Sequence, residues 1–270
     1  MSKKHKAMPA DTLPAVFAVV GDVHGHMHAM VRLLGDWEQR TKCRLSFVLQ
    51  VGDFEAVRDA EDLASTPGPA KYRSLGDFAD FHQDRAEFPW PVFFIAGNHE
   101  PFAFLQTMPR GGQVAHNCHY LGRAGQTDFH GLRVSWMGGI ASASGALTKH
   151  PTRDWKSHAY ITDKDLDHVM AQGRTDILLL HEWPRGAATH AEAAGHRRSG
   201  GMDGPGSEDA RALVDLLGPR LVLAGHSHWP HRSLLSERSQ FIGLGHIDKE
   251  RDAFVAFQYD EDGDLTEITD

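Results

Sequence analysis

Short apolar runs alternate with amphipathic stretches over most of the chain. Ala15 to Val20, Leu45 to Val51, Val92 to Ala96, Ile177 to Leu180 and Leu221 to Ala224 are rich in Val, Ile, Leu and Phe. They are too short for ordinary helices and read as buried strands. Helical stretches are expected over about His26 to Arg40, Leu75 to Arg85, Pro101 to Met108, Thr162 to Gln172 and Ser207 to Leu217. Thr162 caps its helix, and acidic residues fill the first turn behind it. This alternation predicts an α/β fold built from βα units, with parallel strands through much of the sheet. Leu132 to Met137, Phe241 to Leu244 and Ala253 to Tyr259 lack intervening helices and predict a second, more antiparallel sheet. No internal repeat is visible.

Each of the five early runs is followed by a polar cluster. Asp22 and His24 lie in GDVHG, Asp53 in GDFE, Asn98 and His99 in GNHE, His181 in LLLHEWP, and His226 and His228 in GHSH. Ends of buried strands are where α/β folds gather ligands, so one site can collect them all. In GDVHG and GHSH the two candidate ligands stand two residues apart, a spacing that in extended chain returns side chains to one side. Glycines beside each pair permit close approach or unusual dihedrals. A carboxylate such as Asp53 can bridge two divalent cations and offset their repulsion, and neutral imidazoles complete the donor set. Oxygen and nitrogen donors without a thiolate suit Mn, Fe or Zn. Cations of this kind polarise phosphoryl oxygens and activate water. Any one of these residues alone is as readily a turn former or a satisfied structural polar group. The complete set is not explained that way.

The constellation resembles the calcineurin-like metallophosphoesterase superfamily over nearly the whole chain. The resemblance implies a β-sandwich of two mixed sheets flanked by helices, and two divalent metal ions. It assigns Asp22, His24, Asp53 and His228 to one metal, and Asp53, Asn98, His181 and His226 to the other. His99 is left to contact the phosphate and protonate the leaving oxygen. Many members orient that histidine with an Asp three residues after the bridging carboxylate, where this chain has Ala56. A closer resemblance, to RNA lariat debranching enzymes, rests on segments that metal binding does not require. These are GDFEAVRDAEDL from Gly52 to Leu63, PAKYRSL, PRGGQVAHNCHYLGRAG from Pro109 to Gly125, and HEWPRG from His181. It implies a phosphodiesterase acting on RNA or nucleotides, with a 2′,5′ linkage as the preferred bond. Two departures stand against it: Glu55 where those enzymes usually have Gln, and an interval from Ile140 to Ile177 too short for the lariat-recognition insertion of eukaryotic members.

Composition adds limits. A formal charge of −8 argues against broad electrostatic binding to nucleic acid, although a local patch can still receive an RNA backbone. Two cysteines make no disulfide framework, and no run is long enough to span a bilayer, so a reducing cytoplasm is the expected compartment. Residues 1–13 are expected to form a mobile tail ahead of a single domain over 14–270. The segment Trp183 to Gly206 lacks periodicity; within it Arg197 and Arg198 are candidate phosphate-binding residues, with a solvated surface as the plainer alternative. His26 and His28 are expected to cap or line a helix. Arg58 is expected either to reach phosphate or to form an ion pair, and Glu55 either to repel phosphate or to cap a turn. The rival functions are a broad phosphomonoesterase or nucleotide hydrolase, and a non-catalytic metal-stabilised binding protein. No protein partner is indicated.

Overall fold

A computed structural model describes residues 14–69, 73–142, 154–192 and 206–269. The expected tail at 1–13 and the pair Arg197 and Arg198 lie outside the described residues. The strands are β1 (Ala15–Val20), β2 (Phe47–Gln50), β3 (Val92–Phe94), β4 (Gly112–Ala115), β5 (Cys118–Tyr120), β6 (Ala124–Phe129), β7 (Leu132–Met137), β8 (Ile177–Leu180), β9 (Leu221–Ala224), β10 (His231–Leu234), β11 (Gln240–Gly243), β12 (Phe254–Tyr259) and β13 (Leu265–Ile268). The helices are α1 (Met27–Thr41), α2 (Ala60–Ser65), α3 (Phe78–His82), α4 (Phe102–Leu105), α5 (Asp163–Met170) and α6 (Glu208–Leu217). Short 3-10 helices cover Trp155–Ala159 and Ile247–Asp252.

Two mixed sheets form a sandwich with helices outside each. One sheet runs β13-β12-β1-β2-β3-β5-β4 and the other β10-β11-β9-β8-β7-β6. The strands from β1 to β3 pair in parallel, as do β7, β8, β9 and β11. Antiparallel strands close the edges, β13 against β12 and β4 against β5 in one sheet, β10 against β11 and β6 against β7 in the other. The expectation of one parallel sheet followed by a more antiparallel one therefore needs correction. β8 and β9 belong to the second sheet, β7 and β11 pair there in parallel, and β12 returns to the first sheet. Local spacing does not reveal which sheet a strand joins, because a strand with apolar residues on both faces can sit centrally in either.

Alternation within the strands explains the layers. Phe17 and Val19 of β1 face Leu49, Leu179, Leu223 and Phe257 between the sheets. Ala18 and Val20 turn outward and pack with Met30, Leu34 and Trp37 of α1 and with Phe78 and Phe81 of α3. On the second sheet, Leu178, Leu180 and Val222 meet Val169 of α5 and Leu213, Val214 and Leu217 of α6. Each such apolar side chain contributes about 1.5–3 kcal/mol when fully buried. The helix ends follow the local chemistry. Thr162 and Asp165 form a reciprocal capping box, Ser207 accepts from the Ala210 amide, and Gly218 ends α6 in the left-handed region. His26 does not cap α1 with its side chain. Asp77 supplies that role from a distant loop, accepting from the Met27 and His28 amides at 2.7 and 3.2 Å.

Candidate metal centre

The clusters named from sequence all follow the C-terminal ends of parallel strands: Asp22 and His24 after β1, Asp53 after β2, Asn98 and His99 after β3, His181 after β8, and His226 and His228 after β9. Both sheets thus contribute to one site. The chain turns sharply there. His24, Asp53, His226 and His228 all have positive φ, between 45° and 63°. Such backbone strain in non-glycine residues persists only where the surroundings hold it. Here Asp53 supplies much of the restraint, its carbonyl accepting from the His24 amide at 2.8 Å and its Oδ1 from the His99 amide at 2.7 Å. Asp22 Oδ1 accepts from the His226 amide at 3.0 Å. Buried Gln50 joins the first two loops by donating to the Gly21 and Gly52 carbonyls at 3.0 and 2.6 Å.

Two groups of donor atoms converge within 4.8 Å: Asp22, His24, Asp53 and His228 in one, and Asp53, His181 and His226 in the other. Asn98 joins the second through Oδ1, 3.0 Å from His181 Nε2. Asp53 is common to both. His181 Nδ1 donates to the Val51 carbonyl at 2.9 Å, which leaves the Nε2 lone pair of the neutral ring facing Asn98 Oδ1 and, at 3.4 Å, Asp53 Oδ2. His24 Nδ1 donates to Glu55 Oε1 at 2.7 Å, so its Nε2 faces His228 Nε2 at 3.1 Å and Asp53 Oδ2 at 3.6 Å. Lone pairs gathered at such separations repel unless a proton or a cation lies among them. The glycines agree. A Cβ at Gly97 would collide with Asp53 Oδ1, and one at Gly225 with Asp22 Oδ1. The donor set therefore fits two divalent cations bridged by a carboxylate.

The field at the site is negative. Burial opposes charge on His24, yet the Glu55 hydrogen bond and the Asp53 and Asp22 carboxylates outweigh it and raise the imidazole to about 10. His181 rises to about 9 against the same penalty, chiefly through Asp53. Burial likewise opposes ionisation of Asp53, but His181 and His99 hold its carboxyl well below the usual range. His226 is lowered by burial and stays a neutral donor. A field that holds protons on imidazoles also attracts cations.

His99 stands beside this cluster, its ring 5.5 Å from that of His24. Its Nδ1 donates to the Pro67 carbonyl at 3.2 Å, so a backbone group does what a side chain at position 56 cannot. Ala56 is fully buried. Glu55 neither caps a turn nor stands free against phosphate: it holds His24. Arg58 makes an ion pair with Asp62 at 2.6 Å and lies over the Phe104 ring, so it does not reach the site as an unpaired cation. Three residues escaped the sequence reading. Glu100 is wholly buried and accepts from the Phe54, Glu55 and Gly97 amides, knitting GDFE to GNHE. Burial, then Asp53, raises it to about 8. Gln50 carried a signal, a polar residue closing an apolar run. His246, whose ring stacks on His24 at 5.0 Å, carried none.

Residues 15–230 match the Calcineurin-like phosphoesterase family. The lariat debranching enzyme of Caenorhabditis briggsae is 31% identical over 87% of this chain and 52% of its own length. That of Saccharomyces cerevisiae is 32% identical over 65% of this chain and 45% of its own. The chain thus spans about half the length of the curated relatives it matches. A solved structure superposes with a TM-score of 0.58 at 13% identity, covering 95% of this chain and 99% of the other, a likeness of fold alone. With the match running from the first strand to the residues just past GHSH, and with two ligand groups sharing Asp53, the chain belongs to the calcineurin-like phosphoesterase family.

Proposed function

We propose that this chain is a metal-dependent phosphodiesterase acting on RNA or nucleotides, with a preference for 2′,5′ linkages. The observation that carries the reaction class is the pair of donor groups sharing Asp53, with His99 beside them and outside both. The linkage preference rests on similarity to relatives named lariat debranching enzymes, which extends through segments that metal binding does not require. Asp22, His24, Asp53 and His228 would hold one cation, and Asp53, Asn98, His181 and His226 the other. Mn, Fe and Zn all suit these donors. When bound, two such cations polarise a phosphoryl oxygen and lower the pKa of water.

The chain's own residues supply the rest. Asp53 fixes the separation of the two ligand groups. Glu55 and the Val51 carbonyl orient His24 and His181 so that each offers Nε2. Imidazole donors held this way are stiffer and more basic than free ones. His99, with Nδ1 donating to Pro67, presents Nε2 to the reacting group and delivers a proton to the departing oxygen. Residues 14–270 act as one catalytic unit, because loops of both sheets contribute ligands. Cys43 and Cys118 are unpaired, which suits a reducing cytoplasm, and no helix among the described residues is long and apolar enough to cross a membrane.

The test is manganese-supported hydrolysis of matched short RNAs that differ only in one 2′,5′ or 3′,5′ bond, with Asp53→Ala as control. Preferential cutting at the 2′,5′ bond, lost in the control, is the expected result. Equal cutting, or cutting of monoesters alone, would remove the linkage preference.

A further inference from the structure

Beside the metal centre lies an open cleft of about 1420 Å³, larger than the roughly 300–1,000 Å³ typical of small-molecule sites. It starts at His246 and His26 and runs along α1 and the 3-10 helix Ile247–Asp252. His246 joins cleft and centre. Its ring stacks on His24 at 5.0 Å and lies 5.1 Å from the His228 ring, while exposed His26 meets it edge-on at 6.3 Å. His246 Nδ1 is engaged by Asp248, 3.1 Å from its amide and 2.8 Å from its Oδ1, which leaves Nε2 as the ring nitrogen available to a ligand. The segment bearing it is fixed to the metal loops. The Ile247 amide donates to the Asp22 carbonyl at 2.8 Å, and Gly21 donates to Ala253 at 2.8 Å. Glu250 inside it has φ 45° and ψ −91°, a strained conformation.

Arg32, Arg40, Arg232 and Arg251 line the cleft, but Arg232 is paired with Glu267, and the carboxylates of Asp36, Asp248, Glu250 and Asp252 stand among them. A long phosphate backbone would meet no basic track here. A nucleoside fits better, since its sugar hydroxyls and base N–H groups donate to carboxylates and its base stacks on imidazoles.

We infer that the cleft is a nucleoside subsite, in which His246 hydrogen-bonds through Nε2 to the sugar of the nucleoside esterified to the scissile phosphate, with His26 beside the base. The inference rests on the phosphodiesterase reading and names the substituent which that site selects.

Two chromogenic diesters with the same leaving group test it: thymidine 5′-(p-nitrophenyl phosphate), which bears one nucleoside, and bis(p-nitrophenyl) phosphate, which bears none. The wild-type protein should favour the first by about tenfold or more in kcat/KM. In His246→Phe, which keeps a ring against His24 but has no ring nitrogen, that preference should fall about tenfold, and calorimetry should show weaker binding of thymidine 5′-monophosphate at unchanged metal content. A wild-type protein indifferent to the nucleoside, or a variant that slows both esters alike and loses metal, would overturn the inference while leaving the phosphodiesterase reading in place. Hydrolysis of neither ester by the manganese-loaded wild type would overturn both.

Discussion

His99 Nδ1 donates to the carbonyl of Pro67 at 3.2 Å, and the next residue, Gly68, has φ +115° with its missing Cβ position only 3.0 Å from His99 Cε1. The orientation of the proposed acid therefore depends on a glycine in a loop remote in sequence. Gly68→Ala would strain that loop and displace the ring. The expected outcome is a kcat reduced at least tenfold with both cations retained, measured by steady-state kinetics beside elemental analysis. Wild-type kcat would show that the Pro67 contact does not position His99.

Glu55 makes a different kind of contact, a charged hydrogen bond behind a proposed ligand. Partners of this type typically govern metal affinity by about 10–100-fold. Glu55→Ala should weaken cation binding within that range, while Glu55→Gln, which can still accept from His24 Nδ1 at 2.7 Å, should lose much less. Titration of the metal-free protein followed by calorimetry distinguishes them. Equal affinities in all three proteins would mean that Glu55 does not orient His24.

Gly97 and Gly225 leave no room for a methyl group against Asp53 and Asp22. Gly97→Ala and Gly225→Ala should each abolish stoichiometric metal binding and lower the melting temperature. Gly35, on the surface of α1 with nothing within 4 Å of its Cβ position, is the control. Gly35→Ala should stabilise the protein slightly, since Ala costs a helix about 0.8–1 kcal/mol less than Gly.

The negative field at the site predicts that chelation destabilises the fold. Asp22 and Asp53 are 0% and 1% exposed, and cations that bind only the folded state add about 2.7 kcal/mol at a hundred times their dissociation constant. Melting curves with chelator and with manganese should separate by several degrees. Superimposed curves would contradict the assignment of these carboxylates to metal.

Much of this site was legible because its chemistry is local. GDVHG, GNHE and GHSH each place donors within a few residues, and β1, β7, β8 and β9 match the apolar runs that predicted them. The parts that escaped are those made by contact across the fold. β6 and β13 alternate weakly and carry charged residues, and β10 is a half-exposed edge, so their patterns do not announce strands. The Pro67 carbonyl has no side-chain signature, and His246 lies 222 positions from His24 with no motif around it. Asp77, which caps α1 from fifty residues away, was invisible for the same reason.

Asp53→Ala and His99→Ala, measured together for bound metal and for hydrolysis of a diester, separate the bridging ligand from the proton donor. Two cations per wild-type chain are expected, with loss of both metal and turnover in Asp53→Ala, and in His99→Ala retention of metal with turnover reduced about 10²- to 10⁴-fold. An Asp53→Ala protein that keeps its metals and its rate, or a His99→Ala protein that turns over like the wild type, would contradict these roles.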